Sequence, residues 1–253
     1  MSEKKVPALY RFIRGSIRFI YRKYTVSGTE NLPEGPVILV GNHTQIHGPI
    51  ACELYFPERR WTWCAAQMMR VREVPAYAYK DFWSQKPRAL RPLFRLVSFL
   101  IAPLAAYILS NANTIPVYRD ARLTETFRTT LQRLGAGDAV VIFPERDAPY
   151  NHILSAFQDR FVDLGKFYYR ESGRALAFVP MYIAPELRTI TLGTPVRYDP
   201  AAPLKAERDR ICAWLMREIT DLACAMPEHT VVPYRNIPKR DYPTSRPKTR
   251  DAS

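Results

Sequence analysis

The fold is decided by Pro33-Glu34-Gly35-Pro36-Val37-Ile38-Leu39-Val40-Gly41-Asn42-His43. A Pro/Gly-rich turn opens into four consecutive apolar residues, three of them β-branched. The run then ends on two polar residues. An apolar run this short, bounded by turn residues, predicts a strand buried on both faces, as in a parallel sheet. A second run of the same kind is Ala139-Val140-Val141-Ile142-Phe143-Pro144-Glu145, which also delivers a polar residue directly off its end.

Outward from these two strands the pattern alternates. Trp61–Ala66, Thr114–Tyr118, 176–183 and 189–192 predict further strands, the last two joined by a turn at Pro185-Glu186. Leu123, Phe127, Leu131 and Leu134, capped by Asp120 and stopped by Gly135, predict a helix. So do Phe157, Phe161, Leu164 and Tyr168, and Ile211, Leu215, Ile219 and Leu222. Strands alternating with helices give an α/β class: a single domain with a mixed, partly parallel central sheet flanked by helices, preceded by an N-terminal amphipathic basic helix. The expected organisation is a membrane-surface helix over 1–25 and an α/β domain over 26–226. The domain carries an aromatic and apolar insertion at 67–113, and a basic, Pro-rich tail follows over 227–253.

In such sheets ligands bind where strands end and loops begin. That singles out Asn42-His43 and Glu145. An imidazole has an ordinary pKa near neutrality and suits general-base work. His43 and His47 share the i, i+4 spacing of a metal pair, but no third ligand is evident, so no metal is expected. The four cysteines form no CxxC pair and predict a reducing compartment. No signal peptide is expected either, because arginines interrupt the first apolar residues.

The net charge of the 253 residues is +13, of which residues 1–24 carry +6 and residues 234–253 carry +4. The domain between is nearly neutral. Any anionic surface is therefore met by the ends, and no nucleic-acid motif is present, which excludes nucleic acid as the expected partner. On a helix over Leu9–Tyr24, Arg11, Arg14, Arg18 and Arg22 fall within an arc of roughly 80°. Leu9, Ile13, Ile17, Ile20 and Tyr24 lie opposite, flanked by Phe12 and Phe19. A basic stripe facing an apolar one suits a bilayer interface, the alternative being a surface helix packed on its own domain. Leu96–Leu109 is uncharged but contains Pro103 and is short for a span, which predicts a buried core helix, a re-entrant segment or an interfacial one. Tyr77, Tyr79, Phe82, Trp83 and Phe94, interleaved with Lys80, Lys86, Arg88, Arg91 and Arg95, suit the headgroup level equally with a plain surface.

Read together, four blocks resemble the glycerolipid acyltransferase superfamily, typified by the lysophosphatidic acid (1-acylglycerol-3-phosphate) acyltransferases. Asn42-His43 matches the start of its N-H-x-x-x-x-D block, and Ile115-Pro116-Val117-Tyr118-Arg119 its arginine-ended strand. Phe143-Pro144-Glu145-Arg146-Asp147-Ala148-Pro149 stands at the F-P-E-G-T-R-S block. Val179-Pro180-Met181 with Gly193-Thr194-Pro195 completes the set, which spans roughly residues 26–196. The resemblance implies a fatty acyl group moved from an acyl thioester, on coenzyme A or acyl carrier protein, to a glycerolipid hydroxyl in phospholipid biosynthesis. No cofactor is implied beyond that thioester. Membrane lipid is the implied partner, on the cytoplasmic face of a membrane.

Carried over residue by residue, His43 is the base and Glu145 the carboxylate of the third block. Asn42, Gln45, Arg119 and Arg146 are the expected substrate-binding residues. The chain departs from the pattern at Gly48, where the block has Asp, and at Arg146, Asp147 and Ala148, where it has Gly, Thr and Arg. Asp147, Glu145, Glu53 and Gln45 are the alternatives for orienting the ring, with Asn151-His152 a further pair. A non-catalytic lipid-binding relative with a degenerate dyad is the competing expectation.

Overall fold

The structure, a computed structural model, describes residues 6–57, 59–79, 83 and 90–246. Along the chain run α1 (Ala8–Ile20), β1 (Thr25–Ser27), β2 (Val37–Gly41), α2 (His47–Tyr55), β3 (Arg60–Ala65), α3 (Val74–Ala78), α4 (Arg91–Asn111) and β4 (Thr114–Val117). These are followed by α5 (Leu123–Gly135), β5 (Ala139–Ile142), β6 (Glu145–Pro149), β7 (Ser155–Phe157), α6 (Asp163–Ser172), β8 (Ala177–Ala184), β9 (Thr189–Leu192), β10 (Val196–Arg197) and α7 (Leu204–Ala225). The α/β class stands as read from the sequence, a mixed, mostly parallel sheet flanked by helices. Contacts gather into two compact units, Met1–Lys23 with Trp61–Thr129, and Tyr24–Arg60 with Thr130–Ser253.

The second unit is built on the strand order β1-β9-β8-β2-β5, with β10 beside β8. β2 runs parallel to both neighbours, with Val37 opposite Ala177 and Ile38 opposite both Phe178 and Val140. Its four apolar side chains and all eight of β8 are buried, as parallel strands covered on both faces require. Antiparallel β9 returns from β8 through the turn at Pro185-Glu186, and α7 covers the sheet with Ile211, Leu215, Ile219 and Ala223 on one face. Arg208 clamps α7 to Asp163 of α6 through two hydrogen bonds of 2.6 Å each.

Two expectations change here. Phe157 closes strand β7 and Phe161 sits in a 3-10 turn, so the helix anticipated from 157 begins only at Asp163. Both rings are buried all the same, and their spacing reflects one core reached by three kinds of backbone. The stretch from 227, expected as a basic, Pro-rich tail, doubles back on its own unit as far as 246. An isolated bridge joins Thr230 to Thr244 and Val231 N–H donates to the Pro243 carbonyl. The remainder of that tail lies outside the described residues.

In the first unit β3 and β4 pair in parallel, Thr62 opposite Thr114. α4 runs 21 residues straight through Pro103, longer than the broken apolar run of the sequence reading. Pro103 sits on the exposed side and forfeits one backbone bond, while Ser98, Ala102 and Ala106, four apart, are buried, the two alanines with Val74 and Ala78 of α3. The opposite side carries Leu93, Leu96, Phe99, Leu100 and Leu104, with Phe99 65% and Leu100 70% exposed. α4 is thus not a buried core helix; by length and composition it is long and apolar enough to cross a membrane. α1 ends at Ile20, short of Tyr24, which is buried and stacks on Tyr55 in the other unit's core. Along α1, Leu9, Phe12, Phe19 and Ile20 are exposed. Of the aromatic-cationic residues, Lys80, Phe82, Lys86 and Arg88 lie outside the described residues.

Candidate active site

The parallel register places the ends of β2 and β5 side by side, with Val40 opposite Ile142. Asn42, His43 and Glu145 leave the sheet there, within the second unit. Asn42 is 2% exposed, and its amide bridges β8: Nδ2 donates to the Ile183 carbonyl at 3.0 Å and Oδ1 accepts from Ile183 N–H at 2.7 Å. Both ends of that amide are engaged in the sheet. Asn42 thus ties the end of β2 to β8.

Glu145 is 3% exposed. Its Oε1 accepts from the His43 backbone N–H at 2.7 Å and its Oε2 from Ser155 N–H at 2.8 Å. One carboxyl group thus ties the β2 end to the hairpin of β6 and β7. Burial pushes its pKa up to about 7, against the pull of those two N–H donors. The carboxylate bonds the backbone of His43 and not its ring.

The His43 ring stands edge-on to Phe143 (centroids 5.5 Å apart, planes at 74°) and to Tyr234 (5.7 Å, 88°). The residue keeps some surface, but Nδ1 is buried with no hydrogen-bond partner. Burial lowers the ring's pKa to about 4, so the imidazole is neutral at neutral pH. The following residues, Thr44 and Gln45, both hold left-handed backbone, with φ of 44° and 55°. For a β-branched threonine this is a strained conformation, of a kind that clusters at functional sites. It turns the chain sharply into α2, and Thr44 Oγ1 is itself buried without a partner.

Gly48, where the acyltransferase block carries its aspartate, is packed tight. A Cβ added there meets the His43 carbonyl oxygen at 2.7 Å, Thr44 Oγ1 at 3.0 Å and Phe143 Cε1 at 3.3 Å. No carboxylate fits at that position without moving backbone.

The other anticipated residues are distributed as follows. Gln45 Nε2 donates to the Tyr242 hydroxyl at 3.0 Å. Arg146 is exposed on β6, and its neighbour Asp147 pairs with Arg235 at 2.8 Å. Arg119 is exposed just past β4, in the other unit. Glu53 lies 3.6 Å from the Arg60 guanidinium. His152 Nε2 is 3.1 Å from the Ser245 carbonyl, and Asn151 caps its own turn by accepting from Ile153 and Leu154 N–H. The hydrogen bonds and ion pairs described for Glu145, Glu53, Asp147 and the Asn151-His152 pair all go to groups other than the His43 ring. Tyr234 and Tyr242 were missed in the sequence; their only signal was two tyrosines set among prolines in a stretch read as a tail.

The chain is similar to the 1-acyl-sn-glycerophosphate (LPA) acyltransferase PlsC from Thermotoga maritima, at 15% identity, covering 85% of this chain and 78% of that one with a TM-score of 0.44. No protein-family model and no curated protein matches. The chemistry of the site rests on its own residues.

Chemically, the site offers a neutral imidazole at a strand tip, held through its backbone by a carboxyl group poised near neutrality. Burial pushes the two titratable groups in opposite directions, lowering the pKa of the imidazole and raising that of the carboxyl group. Among the described residues no group of three His, Cys, Asp or Glu is arranged to hold a metal.

Proposed function

We propose that this protein is a membrane-associated O-acyltransferase of phospholipid biosynthesis. It would move a fatty acyl group from an acyl thioester, on coenzyme A or acyl carrier protein, to a glycerolipid hydroxyl. The observation that carries this reading is the pairing of His43 and Glu145 at two adjacent parallel-strand ends, with a neutral imidazole at neutral pH. His43 takes the proton of the acceptor hydroxyl as its oxygen attacks the thioester carbonyl. The tetrahedral intermediate collapses, the C–S bond breaks, and the departing thiolate takes the proton back from the imidazolium. Glu145 is the positioning residue, holding His43 through its backbone N–H. Arg146 is the cation assigned to the acceptor phosphate.

The membrane role is supported by charge and exposure. α1 opposes its arginines to exposed Phe12 and Phe19, and α4 exposes an apolar side. Both features suit the cytoplasmic, anionic face of a bilayer.

One observation favours a second reading, a non-catalytic lipid-binding protein. Gly48 leaves no room for an orienting carboxylate, and Nδ1 has no partner to stabilise an imidazolium. Acyl transfer to lysophosphatidic acid, measured for the wild type and His43→Ala, separates the two. A fall of 10²-fold or more in the variant, the usual worth of a general base, supports the first. Equal, background-level turnover from both supports the second.

A further inference from the structure

α4 has the length and composition of a membrane-crossing helix, but its surroundings within the first unit are those of a helix lying flat. Its exposed apolar side runs only from Leu90, at its N-terminus, to Leu104, through Leu93, Leu96, Phe99 and Leu100. At 1.5 Å per residue that is about 21 Å, short of the ~30 Å of a hydrocarbon core. Tyr107, Ile108 and Leu109 in the last turns are half-buried, and the Leu109 carbonyl accepts from Thr114 Oγ1 of β4 at 2.6 Å. Ala102 and Ala106 pack with Val74 and Ala78 of α3. The turn leading into α3 carries the exposed Arg72 and the Arg70–Glu73 ion pair of 2.9 Å. A crossing α4 would take these charges to bilayer depth along with its own middle, where each is strongly disfavoured.

The charge pattern selects what covers the apolar side. Residues 82–119 hold five Lys and Arg and no Asp or Glu. At about 100° per residue Arg91 and Arg95 fall with Ser98, away from the apolar stripe. Both are exposed, and the Arg95 guanidinium lies over the Tyr79 ring, 5.4 Å from its centroid. Such a helix turns its apolar side to acyl chains and its cations to phosphates. A second copy of this chain on the stripe would face the two arginines with like charge or bury them against apolar side chains. We propose that α4 is a monotopic helix: it lies in the plane of one leaflet of an anionic bilayer, its Leu90–Leu104 side among the acyl chains and Arg91 and Arg95 at the headgroups. This deepens, and rests on, the membrane reading of the protein.

The test puts a nitroxide on Leu93→Cys, Leu96→Cys, Leu100→Cys or Leu104→Cys, one at a time, in the full chain with the exposed thiol removed by Cys224→Ser. All four leucines are more than half exposed, so the fold tolerates the label. Depth is read by power saturation, oxygen against a water-soluble nickel chelate, on vesicles of phosphatidylcholine with phosphatidylglycerol. An in-plane helix puts the four labels within a few ångström of one depth, about 5–10 Å below the phosphates. A crossing helix spreads them over about 16 Å from Leu93 to Leu104. A graded depth overturns the proposal, as do labels that stay open to the chelate on bound vesicles. Spin–spin broadening without vesicles overturns it too, by placing a second copy on the stripe. Arg91→Gln with Arg95→Gln is expected to weaken partition to the anionic vesicles about tenfold or more and to leave partition to pure phosphatidylcholine unchanged. An unchanged partition to both overturns the headgroup role of the two arginines. One shared depth in a protein with background acyl transfer sinks the acyl-transfer reading alone, and transfer with a graded depth sinks the in-plane helix alone.

Discussion

Gly48→Asp would restore the aspartate of the acyltransferase block, and the structure predicts that it fails to restore a dyad. The new Cβ would stand 2.7 Å from the His43 carbonyl oxygen and 3.0 Å from Thr44 Oγ1. The first is backbone, so α2 or the strained turn at Thr44-Gln45 must move. Overpacking of this kind costs about 1–3 kcal/mol, and replacing a helical glycine returns up to about 1 kcal/mol. The carboxylate, buried beside the unpartnered Thr44 hydroxyl, adds a further cost of about 1–3 kcal/mol unless it reaches a donor. The net loss is about 2–4 kcal/mol for Asp and about 1–2 kcal/mol for Gly48→Ala, which carries the steric part alone. At 2–4 °C per kcal/mol for a chain of this size, the aspartate variant melts roughly 5–15 °C lower, with no gain in acyl transfer. Calorimetry on the wild type and both variants reads the first quantity, and the transfer assay reads the second. An aspartate variant as stable as the wild type, with faster transfer, would refute the packing argument and restore the simple picture of a lost dyad.

Stability should depend on pH through the same site. Glu145 has a folded-state pKa raised to about 7, so its contribution is full below the ordinary carboxylate range and is lost as pH rises through 7. His43 has a folded-state pKa lowered to about 4, so its contribution is full above about 6.5 and is lost as pH falls through 4. Each limb amounts to roughly 3 kcal/mol. Urea unfolding should show the acid limb flattened in His43→Gln and the neutral limb flattened in Glu145→Gln; identical pH profiles in all three proteins would contradict this. Asn42→Ala leaves the N–H and carbonyl of Ile183 buried and unpaired, and should cost about 2–4 kcal/mol in chemical denaturation. A loss under 0.5 kcal/mol would show the clamp to be dispensable. Phe99→Glu with Leu100→Glu alters two side chains that are 65% and 70% exposed, so folding should persist while sedimentation with anionic vesicles drops about tenfold or more. Unchanged partition would remove α4 from the membrane face.

Composition and periodicity by themselves determined the α/β class, the two buried strands and the polar residues at their tips, because a parallel strand covered on both faces must be a continuous apolar run and must end where polarity resumes. They also determined that charge resides at the two ends of the chain. Only the tertiary structure decided the rest. Glu145 and His43 are 102 residues apart, and the β2–β5 register alone makes them neighbours. Whether Gly48 was a lost carboxylate or a packed contact depended on a 2.7 Å approach that no spacing encodes. The proline-rich stretch from 227 carries no hydrophobic period, since it folds through a neck of specific hydrogen bonds and single ring contacts. α4 shows the converse. Its apolar run was plain, but which side is buried was set by small residues, Ala102 and Ala106 packing with Val74 and Ala78 of α3. Local pattern fixes what a segment is able to become, and long-range packing fixes which of its side chains meet.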